Sequence, residues 1–544
     1  MKTVPLLQAS VIALSFVGLA AADDDDRRGD RNQPIPLTVP KAKCGPNDHP
    51  ETALQGQVTA AMRAAGFKGF NCNLELVGQA RGDGANWQST QFKQKIRGER
   101  GRDDQDDDGE DDDRGGDKRT RVCGYHGTSS AARSLPGRTN FGVRALDVSD
   151  PRAPTITAYL NTPAMHDPWE SLKVNERRQV LGADNGQNGG GGPEVDFYDL
   201  SQDCRFPQLI VSAPVGTGAD GGKVAPIIGH EGSWAPDGLT YYGGDLRNRQ
   251  YYAVDATDLT HPKLLANWVP GIANVHGLSI SDDGNRGYFV SLGAAVIADL
   301  ADPTKTGTNG LLIYDLSEIQ SRKPNPQVRL VSKLLWKDGS VAQHTINVKI
   351  RGKPYIVSVD EGGSGGRGLA NWTAACAAGF PPFAVARIID ISDETNPKIV
   401  SRLLLETNDP AKCAQVLPDL VGQTSFTYDS HYCSVDNRRN ATTLACGYFF
   451  SGIRVFDIRD PLRPKEIAYF NPPGTVTPSP GANHTNPGRG WVSGGPDWCS
   501  AQVHLDAKRG LLWTTCQDNG ALVLKFRKGV WPFENTQTPP GQQN

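Results

Sequence analysis

An all-β fold is what this sequence predicts, and three observations predict it. Apolar runs stay short between turn residues, with 61 glycines and 38 prolines in 544 residues, a composition of many strands joined by tight turns. One strand pattern returns six times, as "FGVRALDVSDPRAP" from 141, "PEVDFYDLSQD" from 193, "QYYAVDATDLTHP" from 250, "NGLLIYDLSE" from 309, "VARIIDISDETNP" from 385 and "SGIRVFDIRDPLRP" from 451. A seventh copy, "GALVLKF" at 520–526, has no sequel, while "CNLELVGQ" at 72–79 and "RVCGYHG" at 121–127 have no predecessor. Joining these terminal pieces into one composite blade closes a ring of seven, so the expected architecture is a seven-bladed β-propeller over residues 72–528. Closure also pairs the terminal edges, which are otherwise sticky.

The chain opens with "MKTVPLLQASVIALSFVGLAAAD", where Lys2 precedes an apolar run and a small-residue end before Asp23. Residues 1–22 therefore read as a signal peptide, and with no second apolar segment of spanning length the expectation is a secreted or periplasmic protein without a membrane span. Residues 23–71 read as an acidic N-terminus and a short helical appendage. Within it, "PETALQGQVTAAMRAAGF" (50–67) puts Leu54, Val58, Ala61, Met62 and Ala65 on one helical face. The insert at 98–120, "GRDDQDDDGEDDDRGGDKRTR" in its main part, has too little apolar content to order itself and is expected as a disordered loop of the composite blade. Residues 529–544 form a tail.

Each unit is read as starting at the repeated strand. A second strand follows, such as "KIVSRLLL" from 398 or "KEIAYF" from 465; then comes an inner strand near a histidine, and a further run such as "RQVLGADNG" from 178 or "YIVSVDEGG" from 355. All ten cysteines follow the predicted cleavage point and none forms a C-x-x-C pair, which predicts five structural disulfides in an oxidising compartment. Cys433 with Cys446 and Cys499 with Cys516 suit neighbouring strands, and Cys376 with Cys413 suits the ends of an inserted loop; the pairing among Cys44, Cys72, Cys123 and Cys204 stays open. A formal charge of -3 with scattered lysines and arginines excludes the basic stripe of a nucleic-acid binder.

"GLLIYDLS", "ARIIDISDETNP" and "IRVFDIRDPLRP", with "VLGADNG" as the companion strand, resemble the LVIVD repeat over most of residues 137–526. The resemblance implies a secreted propeller and leaves activity open, because propellers host unrelated functions.

Aligned by strand ends, His166, His230, His276, His344, His431 and His504 fall at the head of successive inner strands, six of only ten histidines in the chain. Inner strands line a propeller's channel, so the six are expected to converge as ligands for copper, iron, zinc or manganese, with the composite blade lacking a counterpart. Glu231, Asp167 and Glu361 are the candidate catalytic carboxylates, and Asp184, Asp245 and Asp518 are further outer groups. The arrangement is similar to the axial histidines of the selenium-binding protein and methanethiol oxidase family and of the carotenoid-cleaving oxygenases, which implies a metal-dependent oxidase. Two other classes fit the same residues. One is an exported scaffold holding a small-molecule, glycan or protein ligand in the propeller funnel, with Trp372 and Trp498 as exposed loop aromatics and sequons at Asn371, Asn440 and Asn483. The other is a polysaccharide lyase or hydrolase using the histidines as base. No H-E-x-x-H motif is present.

Overall fold

The computed structural model describes residues 37–96, 120–127, 142–186, 193–215, 227–423, 426–475 and 495–533. The expected signal peptide, the acidic stretch 23–31, the insert apart from Thr120, and Asn483 lie outside them. Seven antiparallel sheets follow one another, as the repeat predicts. Blade one holds Ser89–Lys95, Thr120–His126, Val143–Asp147 and Thr155–Leu160, and blade two Lys173–Asn175, Val180–Asp184, Val195–Asp199 and Gln208–Ala213. Blade three holds Glu231–Trp234, Thr240–Asp245, Gln250–Asp255 and Lys263–Trp268; blade four Leu278–Ile280, Arg286–Ser291, Asn309–Asp315 and Arg329–Trp336. Blade five holds Ser340–Ile350, Lys353–Gly362, Ala386–Asp390 and Lys398–Arg402; blade six Ser430–Val435, Thr443–Tyr448, Ile453–Asp457 and Lys465–Asn471. Blade seven joins His504–Asp506, Leu511–Cys516 and Gly520–Phe526 to the N-terminal strand Leu74–Ala80, whose Leu76 pairs with Leu524.

The ring thus closes on the expected pair of terminal strands, with two corrections. Residues 120–126 belong to blade one, which is complete in itself, so the acidic insert joins the first two strands of that blade and not of the composite one. The repeated strand is the third of its blade, not the first: 430–435, 443–448 and 453–457 share one sheet.

The motif has a local cause. The aspartate ending the repeated strand accepts the backbone N–H two residues on, from Asp147 to Ser149, Asp255 to Thr257, Asp315 to Ser317, Asp390 to Ser392 and Asp457 to Arg459, at 2.8–3.0 Å. A short carboxylate bonding its own backbone makes an Asx turn, which ends the strand and starts the hairpin to the fourth. Between blades, alternate apolar residues interdigitate: Val348, Val357 and Ile388 of blade five meet Leu444 and Phe456 of blade six in one buried cluster. Blades six and seven share another through Ile453, Val455, Leu512 and Leu524.

The five disulfides include all three expected pairs. Cys44–Cys72 fastens the N-terminal segment, and Cys123–Cys204 links blades one and two. Phe70–Cys72 adds a fifth strand to blade six, so the expected appendage partly enters the ring. Its helix is only Ala60–Ala64, capped by the Thr59 hydroxyl at the Met62 N–H. Gly56 and Gly66, at φ 87° and 77°, stop it at both sides, and Ala61 and Ala65 face solvent while Val58 is buried. In the C-terminal tail, Trp531 is buried against Phe526. No helix among the described residues is long and apolar enough to cross a membrane.

Candidate metal centre

Glu170, His230, His276, Glu361 and His431 meet at the end of the channel where the inner strands begin. Glu170 stands three residues before the inner strand of blade two and His230 directly before that of blade three, and Glu170 bridges Glu231 in parallel register. His276 stands two residues before Leu278, His431 is the second residue of its strand, and Glu361 is the last residue but one of the antiparallel second strand of blade five. Two groups of ligand atoms result, Glu170 with His230 and His276, and Glu170 with Glu361 and His431, each within 4.8 Å. Glu170 Oε2 lies 3.5 Å from His230 Nε2 and 3.3 Å from His276 Nε2, while Glu170 Oε1 lies 2.9 Å from His431 Nε2. Glu361 Oε1 is 3.1 Å from His431 Nε2 and 3.7 Å from His276 Nε2, which links the groups.

Backbone carbonyls orient two of the rings. His276 Nδ1–H donates to the Gln343 carbonyl at 2.9 Å, and His431 Nδ1–H to the Ser500 carbonyl at 2.8 Å. Such a bond fixes the tautomer and turns Nε2 toward the shared centre, the arrangement that metal-ligating histidines use. One proton on His431 Nε2 cannot serve both carboxylates beside it, and the buried Glu170 Oε1 accepts no well-aligned hydrogen bond from any described residue. A cation among the five groups answers both deficits, so the residues fit a metal ion.

The charges agree with this. Burial works against ionisation of Glu170 and Glu361, yet the facing imidazoles outweigh it and hold both carboxyls below their ordinary range. Burial likewise disfavours a charged His431, but the Glu170 and Glu361 carboxylates push it up to about 10. His230 also ends raised, through Glu170. For His276 burial wins and the ring is held at about 4, so it stays neutral.

Three of the six predicted histidines therefore converge, and three do not. A bulge between Ala342 and His344 advances the register by one residue. Gln343 takes the channel position, its Nε2 donating to Glu170 Oε2 at 3.2 Å and facing Glu231 Oε2 at 3.5 Å. His344 turns away: Nδ1 donates to Gln343 Oε1, Nε2 accepts from the Cys433 N–H at 3.4 Å, and burial holds the ring well below its usual range. His504 is 3.0 Å from Ser89 Oγ and stacks on Trp513, away from the cluster. His166 ends the short helix Pro163–His166, and Glu170, four residues on, supplies that blade's ligand atom. The blade without an aligned histidine is blade one, whose inner strand starts behind Gln88, and not the composite blade, which carries His504.

Of the carboxylates expected from the sequence, Glu361 alone joins these groups. Glu231 is fully buried beside them, bound by Lys173 Nζ at 3.0 Å and by the Tyr432 hydroxyl. Burial first, and Glu170 after it, push its carboxyl up to about 7. It faces a channel cavity of about 270 Å³ that His344, Tyr432 and Ser279 also line. Asp167 is buried outside both groups, its carbonyl accepting the Gly186 N–H at 2.8 Å. Asp184 is bound by the Tyr252 hydroxyl, Asp245 closes its own turn with Asn248, and the Asp518 N–H is tied to Asp497. Glu170, missed as a ligand, was visible only as the last residue of "MHDPWE".

A layer of aromatic rings lies beside the centre. Trp87 meets His431 edge-on at 5.5 Å and Trp169 at 5.8 Å, and Trp169 stacks on His230 at 5.2 Å. Trp372 and Trp498, expected on exposed loops, are buried in this layer's cluster; each supplies a large apolar surface that water would otherwise meet.

The fold and these groups define a β-propeller bearing a carboxylate–imidazole cluster able to hold a metal ion. No family model and no curated protein matches the chain. Among solved structures, a proposed 6-phosphogluconolactonase of Bacteroides uniformis is similar at 11% identity and TM-score 0.47, over 76% of this chain and 95% of that one. Hydrazine synthase of Kuenenia stuttgartiensis is similar at 13% and 0.43, over 72% and 90%. A periplasmic gluconolactonase of Pseudomonas aeruginosa is similar at 13% and 0.39, over 65% and 86%. The ring of seven blades stands on the strand pairings alone.

Proposed function

We propose that the protein is an exported LVIVD-repeat propeller that binds one transition-metal ion through Glu170, His230, His276, Glu361 and His431, and is a metal-dependent oxidoreductase. The observation that carries the metal reading is the convergence of three imidazole Nε2 atoms on two buried glutamates, with two of those rings held by backbone carbonyls. The five disulfides support export.

Mixed imidazole and carboxylate donors suit iron, manganese or zinc better than copper(I), which prefers sulfur. Five protein donors exceed the four of a structural zinc site and suit iron or manganese with a position left for a small molecule. A bound ion of that kind supplies redox or Lewis-acid chemistry. The protein groups keep the site dry on the aromatic side and keep His276 and His431 aimed. Glu231, with Lys173 and Tyr432 on it, lines the channel on the other side.

Elemental analysis of protein exported and purified without added metal tests the reading. Near-stoichiometric metal that is lost in His276→Ala and in His431→Ala supports it. A metal-free, fully folded protein that takes up none of the four metals on incubation refutes it.

A further inference from the structure

The second strand of blade five runs into "EGGSGGRG", residues 361–368. Gly365, Gly366 and Gly368 have φ of 75°, 109° and 98°, a backbone that side chains bearing a Cβ rarely adopt. Gly363 packs so closely on the Pro382 carbonyl that a Cβ there would sit 1.9 Å from its oxygen. The Ser364 N–H donates to the Pro381 carbonyl at 3.0 Å, and after Glu361 the one long side chain this glycine loop carries is Arg367.

Arg367 stands at the rim of the metal centre. Its guanidinium lies over the Phe426 ring at 4.2 Å, and among the described residues its one carboxylate within 4 Å is Glu361, whose Oε2 is 3.9 Å away, beyond hydrogen-bond reach. Asn371 Nδ2 donates to its carbonyl at 2.8 Å and fixes the loop. With 31% of its side chain exposed and no hydrogen bond donated to any described residue, the cation offers its N–H fork to a molecule from outside. The facing Asp429 carboxylate is committed to the Ala384 and Thr427 backbone N–H groups at 2.8 and 3.0 Å. The channel cation Lys173 is committed to Glu231. Trp87, which shares Phe426 with Arg367, has a buried indole N–H without an acceptor among the described residues. On the near side, His230 is the ligand left most open, 17% exposed under Trp169.

We propose that Arg367 is the substrate-anchoring residue of this centre and that the molecule it takes is a small monocarboxylate with an apolar or aromatic body. The inference rests on the metal reading above. A planar carboxylate matches the guanidinium fork, and two oxygens let it reach both Arg367 and the position the five protein donors leave. A phosphate dianion calls for more cationic donors than one uncommitted guanidinium. Trp169, the partly open ring of this aromatic layer, gives the apolar body its wall.

The test uses full-length exported protein loaded with cobalt(II), whose visible absorption reports changes at the metal, titrated with benzoate and with the neutral isostere benzamide. Saturable binding of benzoate and none of benzamide is expected. Arg367→Gln is expected to weaken benzoate at least tenfold at unchanged cobalt content, with Arg367→Lys recovering part of the loss. Cobalt-loaded protein whose benzoate affinity is the same in Arg367→Gln, or which binds benzamide as well as benzoate, overturns this proposal alone. Wild-type protein that takes up no cobalt overturns the metal reading and this proposal with it.

Discussion

Glu170→Gln is the most informative single change, because Glu170 faces all three converging imidazoles and is fully buried. The substitution keeps the shape and removes one of the two carboxylate charges. At the 2.9 Å separation from His431 Nε2, and an effective dielectric of about 20, the lost attraction is about 6 kcal/mol. That brings the His431 imidazole, now held up at about 10, toward its ordinary range. A metal held as proposed would lose a carboxylate donor and half of the anionic charge facing it. Taking about 3–5 kcal/mol for breaking one partner of a buried ionic pair, affinity falls about a hundredfold to several thousandfold. Competition titration with a chelator of known affinity reads the second effect, and a histidine NMR titration of metal-free protein reads the first. Metal affinity within about tenfold of wild type, together with an unmoved His431, would refute the reasoning and leave the five residues as a structural ion-pair cluster.

The register shift at Gln343 separates the histidines. His276→Ala is expected to lose bound metal, while His344→Ala, His166→Ala and His504→Ala keep the wild-type content by elemental analysis; loss in His344→Ala alone would contradict the bulge. Asp338 is pressed upward by burial, but Arg387 and Arg402 outweigh it and hold its carboxyl below the ordinary range. A carboxyl lowered by folding stabilises above its unfolded pKa and loses that contribution as pH falls through the folded one. Asp338→Asn is therefore expected to cost about 3 kcal/mol at pH 7 in urea unfolding, and the gap to wild type should close below about pH 4; a gap independent of pH would argue against the pairing. The Cys123→Ser, Cys204→Ser double mutant unties blades one and two across 81 residues of sequence. It is expected to lose about 2–5 kcal/mol, read as a lower thermal midpoint, and to keep its metal, since neither cysteine lies within two residues of a ligand.

What the sequence made legible was whatever a local rule repeats. The Asp that ends the third strand in six of the seven blades is an Asx turn seen again and again, so counting its copies counted those six blades, and "GALVLKF" without a sequel pointed to closure by Leu74–Ala80. The same rule could not say where a blade begins, because a turn between third and fourth strands looks the same whether the unit starts before or after it; hence the phase was misread by two strands. At the site, a period-2 strand converts one inserted residue into an exchange of faces, and a bulge of that size at Gln343 has no composition signal. It turned His344 away from the Glu170 cluster and Gln343 toward it. Glu361 was legible because it lies near the end of a strand antiparallel to an inner one and so reaches the same end of the channel. Glu170 was not, because the turn after His166 includes Trp169 at φ 43°, a backbone no periodicity anticipates. Such a conformation in a tryptophan is strained and persists where surrounding contacts hold it, here the stack on His230. The repeat thus positioned the ring of inner strands, and departures from the repeat, one bulge, one irregular turn and one glycine loop, chose which side chains face the centre. Those departures are where chemistry specific to this chain is to be sought, and Arg367 stands on one of them.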